Sequence, residues 1–157
     1  RYTLMVWPVH CEIGSWGHGL HADVLAACGA WQTARQRAVQ HVFKGMNPWT
    51  EHYSALQAEV PDPADPATAL DTRLLQRLGE ADLLLIGGEA SSHCVRATTE
   101  HIVQHLPRLQ PGWTAGRVLL LTDCMSPVTG FEAQHTAFLQ AMRAQGVQLG
   151  VSSEIRL

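Results

Sequence analysis

Four short, nearly continuous apolar segments alternate with helical patterns, and this alternation constrains the fold more than any other feature. The segments are AVQHVF at 38–43, LLLI at 83–86, RVLLLT at 117–122 and VQLGV at 147–151. Apolar residues at helical spacing precede them around Val24, Cys28 and Trp31 and lie between them at Leu70 to Leu78, Val95 to Leu106 and Phe131 to Met142. Strands that are apolar throughout are typical of parallel sheets covered on both faces. The order βαβαβαβ therefore predicts an α/β fold, Rossmann-like, with three αβα layers and a mainly parallel sheet.

Composition and charge exclude several classes of protein. With 46% apolar and 16% charged residues, the sequence is that of an ordinary globule, and we expect a single domain over residues 1–157. A net charge of −3 without a basic stripe argues against nucleic acid as a partner. No apolar run is long enough for a bilayer span and no signal peptide is evident, so we expect a soluble, cytoplasmic protein without a membrane partner.

The four cysteines are scattered through the chain without C-x-x-C spacing. They are Cys11, Cys28, Cys94 and Cys124. This spacing indicates neither a zinc ribbon nor a disulfide scaffold, so we expect reduced thiols. A cysteine among apolar residues is most often part of the packing, and we interpret Cys28 and Cys124 in this way.

Three chemically capable residues directly follow predicted strands: Lys44, Cys94 and Asp123. Because ligands bind outside the carboxyl ends of parallel strands, we expect these residues to converge. Cys94 also falls in the first turn of a predicted helix, where Ser91 or Ser92 can cap and the helix dipole would stabilise a thiolate. The position is typical of a nucleophile, whereas Asp123 is interpreted as structural, capping the following loop.

Other interpretations of the polar residues stay open at this point. A single lysine after a strand is usually a solvated surface residue, so Lys44 alone is weak evidence for a site. His10, His18 and His21 could form a metal cluster, but nine histidines in the chain make chance proximity the favoured explanation.

Three motifs in order carry a resemblance to a known family. WPVHCEIGSWG at 7–17, KG at 44–45 followed by HYSAL at 52–56, and GEASSHCVRATTEH at 88–101 resemble the signature regions of nicotinamidase-like cysteine hydrolases of the isochorismatase-like superfamily. The resemblance implies the isochorismatase-like hydrolase fold, of which these residues match the later part. An opening strand with a catalytic aspartate, and a segment with further metal ligands, would then precede Arg1.

The resemblance also implies roles for residues of the site. Cys94 would be the nucleophile and Lys44 its charge partner. The Glu89-Ala90 peptide would be cis, and the N–H groups of Ala90 and Cys94 would form an oxyanion hole.

Substrate and metal contacts follow from the other matched motifs. Trp7 would line the substrate pocket and Tyr53 would flank it. His10 would ligate a divalent metal ion (zinc, iron or manganese), with no organic cofactor. Glu89 stands where the family has a small apolar residue, and NPWTEH at 47–52 lengthens a loop facing the pocket, so both indicate altered substrate contacts.

The implied activity is cysteine-dependent hydrolysis of a C–N amide bond in a small molecule, through a thioester acyl-enzyme. The expected partner is the small-molecule amide substrate, and we expect a homo-oligomer. The alternative is a non-catalytic module with the same fold that binds a ligand or a partner, since the catalytic aspartate has no match in this sequence.

Overall fold

The computed structural model describes residue 3 and residues 5–156. They form two compact units, one made of the described residues up to Phe43 and one that begins at Lys44. Arg1, Tyr2, Leu4 and Leu157 lie outside the described residues. None of the described helices is both long and apolar enough to cross a membrane.

Among its described residues, the first unit contains one α-helix, α1, over Ala22–Arg35. The ring of His21 accepts a hydrogen bond from the backbone of Asp23 at the start of α1, and Gln36 ends the helix in the left-handed conformation with φ of 51°. The structure thus confirms the helix that the apolar spacing around Cys28 predicts.

The predicted strand at 38–43 is wrong, because this segment is irregular in the structure. The backbone N–H of Val39 donates to the side chain of Gln32 at 2.8 Å, and Val42 and Phe43 are exposed. A strand is stable only when a neighbouring strand pairs with it, and a short apolar pattern cannot reveal whether that neighbour is present.

The second unit is an α/β structure around a parallel sheet of three strands. Its elements are α2 (Thr72–Gly79), β1 (Leu84–Ile86), α3 (Cys94–Leu109), β2 (Val118–Leu121), α4 (Glu132–Ala144) and β3 (Gln148–Gly150). The strand order is β1-β2-β3, with Leu84 opposite Val118 and Leu119 opposite Gln148. The other three predicted strands and the predicted α/β class are confirmed.

The core of this unit lies where α2, α3 and α4 meet one face of the sheet. Val118 and Leu120 of β2 are fully buried, whereas Leu119 and Leu121 between them are partly exposed. Asp71 caps α2 by accepting a hydrogen bond from Leu74 at 2.9 Å. Other buried members of the core are Leu56, Leu75, Val95, Ile102, Val103, Leu106, Trp113, Met125, Phe138, Met142 and Val147. Burial of this apolar surface is the main driving force for folding of the unit.

Two leucines near the end of α3 test this description of the core. Leu106 is 0% exposed and Leu109 is 38% exposed. Leu106→Ala should lower the free energy of unfolding by about 2–5 kcal/mol, because it removes buried methyl groups and leaves a cavity. The matched change Leu109→Ala should cost about 1 kcal/mol or less. Urea denaturation of both variants measures the difference, and equal losses would contradict the assigned core.

Candidate active site

Cys94 is the first residue of α3, and a seven-residue loop, 87–93, connects it to β1. The helix start confirms the position predicted from the sequence. The predicted cap by Ser91 or Ser92 is wrong, since His93 is the residue before the helix and no side chain caps it. Both serine hydroxyl groups bind elsewhere, Ser91 to the ring of His135 and Ser92 to the ring of His93, each at 2.8 Å.

Hydrogen bonds tie loop 87–93 to the segment 124–128 that follows β2. The backbone of Gly88 donates to the carbonyl of Cys124 at 2.7 Å, and Ser91 donates to the carbonyl of Ser126 at 2.9 Å. The backbone of Val128 donates to the hydroxyl of Ser92 at 3.0 Å. Backbone groups that are hydrogen-bonded in this way hold a loop in one conformation. The loop therefore presents the start of α3 in a fixed position.

Lys44 lies against Cys94 although fifty residues separate them in the chain. Its Nζ is 3.5 Å from the Sγ of Cys94 and donates to the carbonyl of His52 at 2.8 Å. A positive charge and a helix amino terminus thus meet at one sulfur atom, and both favour nucleophilic reaction there. Of the three residues predicted to converge, the structure places Lys44 and Cys94 in contact, whereas Asp123 binds Ser152.

Asp123 binds the segment that follows β3. Its carboxylate accepts hydrogen bonds from the backbone and the hydroxyl of Ser152, at 2.8 and 2.6 Å, and these bonds lower the pKa of the carboxyl group. The interpretation of Asp123 as structural is confirmed, but the partner segment lies after β3 and not in the loop that directly follows.

Two backbone amides at the loop are free to bind an oxyanion. The Glu89-Ala90 peptide is cis in the structure. The N–H groups of Ala90 and Cys94 donate to no acceptor among the described residues. Amides without a protein acceptor beside a nucleophile are the usual components of an oxyanion hole.

The side chain of Glu89 projects from the same loop and is exposed. One of its oxygens accepts a hydrogen bond from the hydroxyl of Ser126 at 2.8 Å. Ser126 therefore orients the carboxylate, a role that no sequence pattern indicates.

An aromatic row borders the residue before Cys94. The ring of His93 lies between Tyr53, at a centroid distance of 5.3 Å, and Phe131, at 4.6 Å. Burial, together with the charge of Arg96, lowers the pKa of His93, so the ring is uncharged near neutral pH. The sequence indicates Tyr53 only through the family resemblance, and it gives no signal for Phe131.

Trp7 and His10 belong to the first unit, so their predicted substrate and metal roles stay predictions. The Nδ1 of His10 lies in hydrogen-bond contact with the carbonyl of Pro8. A carbonyl oxygen only accepts, so Nδ1 carries the proton and the lone pair of a neutral ring is on Nε2. In the part of the chain that the structure describes, no three His, Cys, Asp or Glu side chains are placed to hold a metal ion. The described residues alone therefore do not form a metal site.

Solved structures with the same fold include nicotinamidases and a pyrazinamidase. The structure of yeast nicotinamidase bound to the inhibitor nicotinaldehyde superposes with a TM-score of 0.65 at 19% identity, over 94% of this chain and 59% of that one. The fold is that of the nicotinamidases. An Acinetobacter baumanii nicotinamidase has a TM-score of 0.61 at 22% identity, over 95% and 60% of the two chains. A Pyrococcus horikoshii pyrazinamidase in complex with zinc has a TM-score of 0.57 at 22% identity, over 93% and 63%.

The chain spans about six tenths of the length of these nicotinamidases. No protein-family model matches the sequence, and no curated protein is similar to it. The likeness to nicotinamidases is therefore one of fold.

Thiol labelling tests the environment of Cys94. Cys11 and Cys124 are exposed, whereas Cys94 and Cys28 are only partly exposed, so the interpretation of Cys124 as part of the packing is wrong. If access alone decides the rate, iodoacetamide at neutral pH labels Cys11 and Cys124 first. We expect Cys94 to be labelled first, because Lys44 and the helix start favour the reactive thiolate. Peptide-resolved mass spectrometry over time measures the order, and a rate at Cys94 no higher than at Cys28 would contradict the assignment.

Proposed function

We propose that the protein hydrolyses a C–N amide bond of a small molecule through a thioester on Cys94. The observation that carries the proposal is the 3.5 Å contact between Lys44 Nζ and Cys94 Sγ at the first residue of α3. The fold shared with nicotinamidases supports an activity of this class.

The proposed reaction has two steps. The thiol of Cys94 loses its proton to a base, which the family resemblance implies is an aspartate ahead of the present sequence, and the sulfur attacks the amide carbonyl carbon. The N–H groups of Ala90 and Cys94 receive the developing oxyanion, while Lys44 balances the negative charge. The C–N bond breaks, the nitrogen leaves as ammonia or an amine after gaining a proton, and water then hydrolyses the thioester to release the acid and the thiol.

The groups around Cys94 suggest how a substrate is held. Tyr53 presents an aromatic ring beside His93, and Glu89 presents a carboxylate that Ser126 orients. We assign Tyr53 and Glu89 to substrate binding, and the role of Trp7 stays the one that the family resemblance implies. A carboxylate at this position would select amides that carry a hydrogen-bond donor or a positive charge.

Substitutions of Cys94 and Lys44 test the proposed reaction in the full-length protein. Cys94→Ala should abolish turnover of small aromatic and aliphatic amides, because the thioester cannot form. Lys44→Met keeps the length of the side chain and removes its charge, and it should lower kcat on the order of 10²-fold. The double variant should be scarcely slower than Cys94→Ala, since residues that act as a unit are not additive. Ammonia release measures all three.

Matched controls separate catalysis from general damage. Cys28→Ala removes a thiol of α1, and Arg73→Met removes a cation of α2. Both should hydrolyse amides at the native rate. Near-native turnover by Lys44→Met would refute the proposal, whereas a native protein that binds amides without hydrolysing them would favour the non-catalytic module.

We further propose that any divalent ion in the full-length protein is bound through His10. The zinc complex of the Pyrococcus pyrazinamidase supports a metal in this fold, and the proton on Nδ1 of His10 leaves Nε2 as the donor atom. One imidazole does not make a site, so no step of the reaction is assigned to the metal. His10→Ala should lower the metal content measured by elemental analysis, and His41→Ala should not. Unchanged metal in His10→Ala would remove the assignment. The oligomeric state and the compartment stay predictions from the sequence.

A further inference from the structure

The ammonium group of Lys44 is held by a backbone carbonyl. Its contact with the carbonyl of His52, at 2.8 Å, is much shorter than its contact with Cys94, at 3.5 Å. An ammonium group donates in three directions, so a short bond to a fixed acceptor determines where its other hydrogens point. The position of the His52 carbonyl therefore decides how Lys44 meets the sulfur.

The peptide of His52 is fixed by its own hydrogen bonds. Its N–H donates to the carboxylate of Glu51 at 2.9 Å, and its ring Nδ1 donates to the carbonyl of Ser54. His52 is 9% exposed and Ser54 is 0% exposed. Because a carbonyl oxygen only accepts, Nδ1 of His52 carries a proton. The imidazole therefore helps to fix the position of the peptide whose carbonyl binds Lys44.

The same segment is bonded to α3, the helix that begins with Cys94. The backbone of Ala55 donates to the hydroxyl of Thr98 at 3.0 Å, and the hydroxyl of Ser54 contacts Nδ1 of His101 at 2.9 Å. The chain of contacts therefore runs from Cys94 through Lys44, His52 and Ser54 back to α3.

The charge state of His52 matters because of its neighbours. Burial lowers the pKa of the His52 imidazole, and the positive charge of Lys44 acts in the same direction. The bond to Ser54 and the carboxylate of Glu51 act against these effects. From α3, His101 faces the same cluster, and its pKa is lowered by burial and by the charges of His105 and His52. The His52 ring is therefore neutral near neutral pH and gains a proton only below its ordinary value of about 6.5.

We propose that His52 is a positioning residue for the nucleophile, holding the carbonyl that anchors Lys44 so that the Lys44–Cys94 pair forms only while the His52 ring is uncharged. This inference rests on the proposed role of Cys94. A protonated His52 would place a buried positive charge beside the ammonium group of Lys44, and repulsion would separate Lys44 from the carbonyl that anchors it. Protonation of His52 would therefore lower the reactivity of Cys94 at acid pH in addition to the effect of protonating the thiol itself.

The pH dependence of Cys94 alkylation in the full-length protein tests this proposal without any amide substrate. Below its own ionisation, a thiol reacts about tenfold more slowly for each unit of pH. Between about pH 8 and 5 the native protein should show a steeper fall on the acid side, because protonation of His52 adds a second loss. His52→Asn keeps a donor that can reach the Ser54 carbonyl but does not titrate. Its alkylation rate should lack this additional loss on the acid side.

Two further variants show whether the effect passes through Lys44. In a Lys44→Met background, His52→Asn should leave the profile unchanged, because the charge that His52 positions is absent. His41→Asn, an exposed histidine of the first unit, should keep the native profile. Circular dichroism confirms that each variant is folded.

The outcomes are distinct from those of the hydrolysis experiment. Superimposable profiles of the native protein and His52→Asn would overturn the inference, as would an equal effect of His52→Asn in the presence and absence of Lys44. The inference is supported if His52→Asn removes the steeper fall at acid pH only in a protein that has Lys44. This holds even if that protein hydrolyses no amide tested.

Discussion

Burial of β2 is the constraint on which the rest of the second unit depends. Val118 and Leu120 are fully buried, and β1 and β3 pair with this strand in parallel on either side. Parallel pairing places the carboxyl ends of adjacent strands at the same edge of the sheet, so the loops after β1 and β2 meet. The hydrogen bond from Gly88 to Cys124 is a direct result. The position of Cys94 is thus a consequence of how the sheet is packed.

The contact between those loops also requires a glycine. A Cβ atom on Gly87 would lie 3.1 Å from the Cβ of Cys124 and 3.2 Å from its carbonyl oxygen. Both distances are tighter than ordinary van der Waals contact, and the carbonyl of Cys124 cannot move without weakening its hydrogen bond from Gly88. Gly87 is therefore required by the approach of the two loops.

The sequence predicts the sheet and the pair at the site for different reasons. Continuous apolar strands are recognisable because burial determines their composition, which is why β1, β2 and β3 are correctly predicted. Lys44 meets Cys94 as predicted, yet the strand at 38–43 that placed Lys44 at the sheet edge is absent, so the family motifs carried that part of the prediction.

The roles of His52 and Ser126 could not be predicted, because they depend on hydrogen bonds that only the folded chain forms. The capping role assigned to Ser91 and Ser92 was wrong for the same reason, since the hydroxyl of Ser91 binds His135 and that of Ser92 binds the backbone of Val128.

Helix α3 carries the sulfur atom at its first residue and binds the lysine's supporting segment through Thr98 and His101 one turn and two turns later. Thermal motion that shifts α3 against the sheet as a rigid body therefore moves both reacting partners in the same direction. The separation between nitrogen and sulfur then fluctuates less than either atom does relative to the sheet. A site built across two independently moving elements would lack this correlation, and its geometry would degrade as the temperature rises.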